Sequence, residues 1–267
     1  MNKVVPSAAD SVADVPHGAS ISVGGFGLSG IPWIVIDALL NTGASRLTIV
    51  SNNCGVDGAG LGVLLAEHRI ERVIASYIGE NKEFARQFLA GEIQVELTPQ
   101  GTLAERLRAG GAGIAAFFTP TGVGTLVADG GLPWRYDHNG EVQVASPAKE
   151  VREFSLGGES RPFVLEEGIV TDYAIVRAAM ADRQGNCVFH TAARNFNPPV
   201  AMAGRITIVE AEMVVEAGEI PPDDVHLPGV FVQRVVELTP DQAADKRIEK
   251  RTVRPSPPPA QAQEVVG

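Results

Sequence analysis

Over its first 125 residues the chain alternates Val- and Ile-rich runs with stretches of helical pattern, and few architectures accept that alternation. The runs are "ASISV" (19–23), "RLTIVS" (46–51), "IERVIASYI" (70–78), "IQVEL" (93–97) and "IAAFF" (114–118). Each is short and rich in β-branched or aromatic residues, as strands are. Between them, "IPWIVIDALLNTG" carries Pro32 near its first turn and Gly43 as a stop signal. "NKEFARQFLAG" begins at an Asn81 cap, sets Phe84 and Phe88 four residues apart and ends at Gly91. "TLAERLRAGG" has the Thr102-to-Glu105 spacing of a capping box. Strands separated by helices pair in parallel through crossovers, so the pattern predicts an α/β fold with a doubly wound, mostly parallel sheet.

From about Asp129 the texture changes. "GGLPWRYDHNGEVQV" places Asn139-Gly140 between two extended segments, a hairpin signal. "DYAIVRAAMADRQGNCVF" and "RITIVEAEMVVEAGEI" read as further strands joined by tight turns. The expected organisation is an N-terminal lead over 1–17 and one domain over 18–240. That domain divides into an α/β lobe (about 18–128) and a β-rich C-terminal lobe (about 129–240) packed on the same sheet. Residues 241–267 end in "RPSPPPAQAQEVVG", a composition that predicts a disordered Pro-rich tail.

In an open parallel sheet the ligand sits outside the carboxyl ends of the strands. The segments following the five predicted strands are Gly24 to Gly30, "NNCGVDGAG", "GENKEF", "TPQG" and "TPTGVGT". They are rich in glycine, neutral amides and hydroxyls, groups that stabilise an oxyanion or a thioester carbonyl without fixed charge. Gly25, Gly27 and Gly30 also spell G-x-G-x-x-G between a strand and a helix, the setting of a dinucleotide loop. A dinucleotide site needs an acidic residue about 20 positions further on to hold the ribose. Ser51, Asn52 and Asn53 stand there instead, which weighs against the dinucleotide reading.

The formal charge of −10 argues against nucleic acid and anionic membranes as partners. The longest apolar stretch, Ile31 to Leu40, contains Asp37 and is too short to span a bilayer. Cys54 and Cys187 offer neither a disulfide framework nor metal spacing, and a reducing cytoplasm fits them as small buried residues. The five histidines are scattered, so no metal site is expected.

Several runs together resemble one family: "GGFGLSGIP", "SNNCGVDGAGLGVLL", "SYIGENKEF", "GEIQVELTPQGTLAERLRAGGAGIAAFFTPTGVGT", "FVLEEGIVTDYAIVRA", "ARNFNPP" and "DVHLPGVFVQRVV". The chain is similar to the A subunits of family I CoA-transferases, nearest the succinyl-CoA:3-ketoacid (3-oxoacid) type. His17 and Trp33 depart from the family pattern outside these central motifs. The resemblance implies transfer of CoA between carboxylic acids through a glutamyl-CoA thioester. The nucleophilic glutamate of that family lies in an S-E-N-G motif of the B half, and this sequence has none; Gly79-Glu80-Asn81-Lys82 belongs to the A-half pattern.

The implied partners are therefore a B subunit, in a heterodimer or heterotetramer, with an acyl-CoA and a small carboxylic or 3-oxo acid as substrates. CoA enters as a substrate thioester, with no permanently bound cofactor. The resemblance places Asn52, Asn53 and Gln100 in the acyl pocket as amide donors, and Gly24, Gly25, Phe26 and Gly27 along its wall. Glu80 and Glu105 are secondary candidates. Each has a structural alternative: a turn for Asn52-Asn53, a connector for Gln100, a capping box for Glu105 and a helix first turn for Glu80. "ARNFN" (193–197) reads as fixing a loop rather than doing chemistry. Two other functions compete: a CoA-thioester hydrolase or ring-opening subunit using Glu105 or Glu80 as base, and a non-catalytic acyl-CoA or nucleotide-binding module.

Overall fold

The structure is a computed structural model and describes residues 1–246. Eight strands form one sheet in which every neighbouring pair runs parallel. They are β1 (Val4–Val5), β2 (Ser20–Val23), β3 (Leu47–Val50), β4 (Ile70–Ala75), β5 (Gln94–Leu97), β6 (Thr171–Ala178), β7 (Gly204–Ala211) and β8 (Arg234–Glu237). Their spatial order is β1-β8-β7-β6-β2-β3-β4-β5. The chain thus winds outward from β2 to β5, returns to the middle at β6 and winds outward the other way.

Consecutive residues of the strands face opposite layers, which explains their nearly unbroken apolar character. Ile49, Val73, Ile175 and Ile208 pack with α1 (Ala8–Val12), α2 (Trp33–Thr42), α3 (Gly62–Ala66) and α4 (Lys82–Leu89). Val50, Ile74, Val176 and Val209 face the opposite side, against Leu103 and Leu107 of α5 (Gln100–Gly111) and Val200 of the helix Asn197–Ala203. Helices on both faces complete the doubly wound arrangement. Its core is dry: Ile36, Leu64, Phe84 and Leu107 have no exposed surface. Cutting a buried Phe such as Phe84 to Ala costs about 3–5 kcal/mol.

The hairpin forms as read, with Pro133–Tyr136 antiparallel to Val142–Ala145 around Asn139-Gly140. The Asn81 cap is also present, its Oδ1 accepting from Phe84 N–H at 2.9 Å. Residues 1–17 supply β1 and α1, and residues 171–237 supply three strands of the same sheet. The Pro-rich stretch lies outside the described residues.

Two local expectations are corrected. The "IAAFF" run forms Ala116–Thr119 but does not join the main sheet; it pairs antiparallel with Glu159–Glu167, whose other edge takes Val151–Leu156. A parallel neighbour needs a crossover of a dozen or more residues, usually a helix. The only helix between this run and the strands that follow it is the four-residue Leu126–Asp129. The "TPTGVGT" segment is therefore not part of the row of loops that follows β2 to β5. The Thr102–Glu105 capping box is also absent. Pro99 caps α5 three residues earlier, leaving Thr102 inside the first turn with a buried, unpartnered hydroxyl.

Candidate active site

The winding reverses between β2 and β6, and at such a point the loops leaving the carboxyl ends diverge and open a crevice. Gly24 opens the loop after β2, its N–H still bonded to Ile175 O of β6 at 2.9 Å. Beside it, three consecutive strands end in polar side chains that meet. Asn52 follows β3, Ser76 follows β4, and Gln100 opens α5 after β5. Asn52 Nδ2 donates to Gln100 Oε1 at 2.8 Å and to Ser76 Oγ at 3.2 Å. Ser76 Oγ lies 2.5 Å from Gln100 Oε1. Asn52 Oδ1 accepts from Gly27 N–H at 2.9 Å, which ties the glycine loop to the same cluster. Asn52 is buried, and Gln100 Nε2 is a buried donor with no protein partner.

The glycine loop is shaped for close approach. Phe26 and Ser29 exchange backbone hydrogen bonds of 3.0 Å across a tight turn, with Gly27 inside it at φ +58°. That conformation costs a residue without Cβ almost nothing. Phe26 stands 48% exposed, its ring 6.1 Å from Phe196. The loop is clamped from below by the "ARNFN" segment. Asn197, fully buried, donates to Gly30 O (3.1 Å) and Ala193 O (2.7 Å) and accepts from Arg177 N–H (3.2 Å). Asn195 Nδ2 donates to Ser29 O at 3.1 Å. A Cβ on Gly24 would stand 1.9 Å from Asn197 Oδ1, so this glycine is required by contact.

The remaining candidates separate from this cluster. Asn53 Oδ1 accepts from Gly55 N–H at 3.3 Å and shapes its own turn. Glu80 is exposed in the loop before the Asn81 cap. Glu105 accepts two 2.9 Å bonds from Arg108 Nε, and that guanidinium holds its carboxyl below the usual range. A carboxylate so held is a weak base.

Nor does another group offer a nucleophile here. Cys54 is buried, and burial pushes its thiol far above the ordinary value. Glu210, at the end of β7, is fully buried and pushed up to about 7 by that burial, against the pull of Arg177. Its Oε2 accepts from Ile34 and Val35 N–H, both at 2.9 Å, and so caps α2 from across the sheet. Among the described residues, no group of three or more His, Cys, Asp or Glu is placed to hold a metal ion. Nor is any helix long and apolar enough to cross a membrane. A cavity of about 330 Å³ lies elsewhere, between Arg72, Glu96, Arg106, Trp134, Lys149 and Glu166. Its three cations are each paired with Glu96 or Glu166, which leaves no free positive charge for an anion.

Sequence reading missed Ser76 and the clamp's target. Ser76 begins the "SYIGENKEF" run immediately after a strand, a position on the same edge as Asn52 and Gln100. The "ARNFN" segment does fix a loop, and the loop is the glycine loop of the first half.

The open parallel sheet thus gathers neutral amides and a glycine loop at its switch point. The chain belongs to the coenzyme A transferase family, which it matches over residues 5–238. It is 63% identical over 254 residues to the A subunit of the probable succinyl-CoA:3-ketoacid coenzyme A transferase of Mycobacterium tuberculosis, covering 95% of this chain and 100% of the relative. The Bacillus subtilis protein of the same description is 53% identical over 254 residues, covering 95% of this chain and 96% of that one. The human mitochondrial succinyl-CoA:3-ketoacid coenzyme A transferase 2 is 50% identical over 244 residues, 91% of this chain but 46% of its own length. Among solved structures, the Escherichia coli acyl-CoA transferase YdiF superposes with a TM-score of 0.74 at 22% identity, covering 90% of this chain and 48% of that one. Glutaconate coenzyme A-transferase from Acidaminococcus fermentans gives 0.73 at 22% identity, covering 91% and 77%. These two likenesses concern the fold.

Proposed function

We propose that this chain is the A subunit of a two-subunit CoA-transferase that moves CoA from an acyl-CoA, succinyl-CoA foremost, to a 3-oxoacid. The observation that carries the reading is the Asn52–Ser76–Gln100 cluster with its spare buried donor, on an edge that lacks a nucleophile. The description of the bacterial relatives as A subunits supports it, as does the human relative in which this chain spans less than half the length. The missing group is a glutamate on a B subunit, in the S-E-N-G motif of the family, within a heterodimer or heterotetramer. The assembly works in the cytoplasm and uses CoA only as substrate.

The chemistry divides between the two chains. The partner's glutamate oxygen attacks the thioester carbonyl, CoA thiolate leaves, and an acyl–glutamyl anhydride forms. The thiolate then attacks the glutamyl carbonyl, giving glutamyl-CoA and releasing the first acid as its carboxylate. The acceptor acid repeats the two steps in reverse. Each attack puts negative charge on a carbonyl oxygen, which neutral amide donors stabilise without forming a dead-end ion pair. Gln100 Nε2 supplies such a donor, and Asn52 spends both of its amide protons on Gln100 and Ser76 and so orients that donor. Asn53 shapes the adjacent turn, and Gly24, Gly25, Phe26 and Gly27 form the wall that brings backbone close.

The hydrolase reading needs a base on this chain, and Glu105 is engaged by Arg108 while Glu80 is exposed. The test mixes the purified chain with and without its B subunit and follows CoA exchange between succinyl-CoA and acetoacetate. Ping-pong exchange only in the mixture is expected. Exchange by the isolated chain, or hydrolysis without an acceptor acid, overturns the proposal.

A further inference from the structure

Ser76 stands between the two amides of the site. Its hydroxyl lies 2.5 Å from Gln100 Oε1, 3.2 Å from Asn52 Nδ2 and 3.1 Å from Asn52 O. A serine hydroxyl has one proton to give and two lone pairs to offer. Here it can accept from Asn52 Nδ2 and give its proton to Gln100 Oε1, while Asn52 Nδ2 also donates to Gln100 Oε1 at 2.8 Å. The Gln100 carbonyl is therefore held by two donors on two neighbouring strand ends. An amide carries its oxygen and nitrogen on opposite sides of one carbon, so fixing Oε1 fixes Nε2. That nitrogen is the buried atom left without a partner. A half-turn of the amide would set its N–H groups against the Asn52 N–H groups, a contact between donors. Ser76 has no basic group among its hydrogen-bond partners, which are all amide atoms, so nothing activates it as a nucleophile.

We infer that Ser76 is a positioning residue of the acyl-transfer site, locking the Gln100 amide so that Nε2, and not Oε1, faces the substrate's carboxyl group. The inference rests on the placement of Gln100 in the acyl site. Without the hydroxyl, one of the two restraints on Oε1 is lost and the amide populates the turned state, which presents a lone pair to an anionic group. The effect reaches the substrate only through Gln100.

The test is a double-mutant cycle on the assembled two-subunit enzyme, with CoA exchange between succinyl-CoA and acetoacetate as readout. Ser76→Ala and Gln100→Ala each lower kcat/KM roughly tenfold, the scale of one hydrogen bond to a charged group. The double variant is no worse than Gln100→Ala alone, and Ser76→Thr, which keeps the hydroxyl, recovers most of the loss. Thermal midpoint and subunit assembly are measured on every variant. A silent Ser76→Ala, or effects that multiply in the double variant, overturns the positioning role while leaving Gln100 in the site. Loss of assembly in Ser76→Ala that Ser76→Thr does not restore makes the serine structural and also overturns it. A silent Gln100→Ala removes Gln100 from the acyl site, and the inference falls with that assignment.

Discussion

Replacing Asn197 with alanine should loosen the glycine loop and lower stability together. The side chain is fully buried and makes three hydrogen bonds, at 2.7, 3.1 and 3.2 Å, to the backbone of Ala193, Gly30 and Arg177. Each lost bond costs about 1 kcal/mol, and a buried amide left unpaired adds more, so Asn197→Ala should cost about 3–5 kcal/mol. For a domain of this size that corresponds to a fall in Tm on the order of 10 °C. Gly24→Ala attacks the same contact from the other side, because its methyl would stand 1.9 Å from Asn197 Oδ1 and displace the amide. The two substitutions remove one clamp and should not add. In the double variant the new methyl meets chiefly Val176 Cγ1, at 3.1 Å, which a small shift accommodates. Thermal unfolding by circular dichroism on the two single variants and the double one measures this. A Gly24→Ala protein that melts with the wild type, or a double variant whose loss equals the sum of the singles, refutes the clamp.

Two further outcomes follow from the charged groups. Glu105→Gln should leave turnover of the assembled enzyme within about twofold, since its pair with Arg108 is a surface pair of small worth; a loss beyond about tenfold would restore Glu105 as a base. For Glu96, burial raises the carboxyl's value, but Arg106 and Arg72, each at 2.6 Å, outweigh it and hold it below the usual range. A folded value below the unfolded one, about 4.3, gives stability that is present above that pH and lost as pH falls through the folded value. Urea midpoints from neutral pH down to about pH 3 should therefore fall less steeply in Glu96→Gln than in the wild type. Equal slopes would mean that Glu96 does not carry this acid dependence.

Much of the sheet could be read from residues 19 to 97, because three of the four Val- and Ile-rich runs there are followed by a stretch with helix start or stop signals. The convergence of Asn52 and Gln100 was legible for the same reason: both follow strands, and parallel strands carry their ends to one edge. "IAAFF" misled because four or five apolar residues look alike in a central parallel strand and in an outlying antiparallel one. Thr102 and Glu105 misled because Pro99, which starts the helix, lies outside the four-residue spacing that defines a capping box. Ser76 could not be singled out, since its meaning comes from side chains 24 residues away on either side. Glu210 capping a helix that begins at Trp33 is a contact that local pattern cannot carry.

The return of the chain to β2 also dictates an order of assembly. β3 can pair with β2 once Leu47–Val50 has been made, but the other edge of β2 waits for β6, nearly 150 residues later. At ribosomal rates of about 5–20 residues per second, that edge stays open for roughly 8–30 s. Its row of unpaired amides and carbonyls is a template for pairing with another chain. Contacts this distant in sequence also slow folding itself, since the loop must close before they contribute. The glycine loop cannot take its final shape before β6 either, because Asn195 and Asn197, which hold it, follow β6 in the chain. A truncated or stalled product ending before residue 171 would thus carry Asn52, Ser76 and Gln100 together with an unguarded central strand, and aggregation is its expected fate.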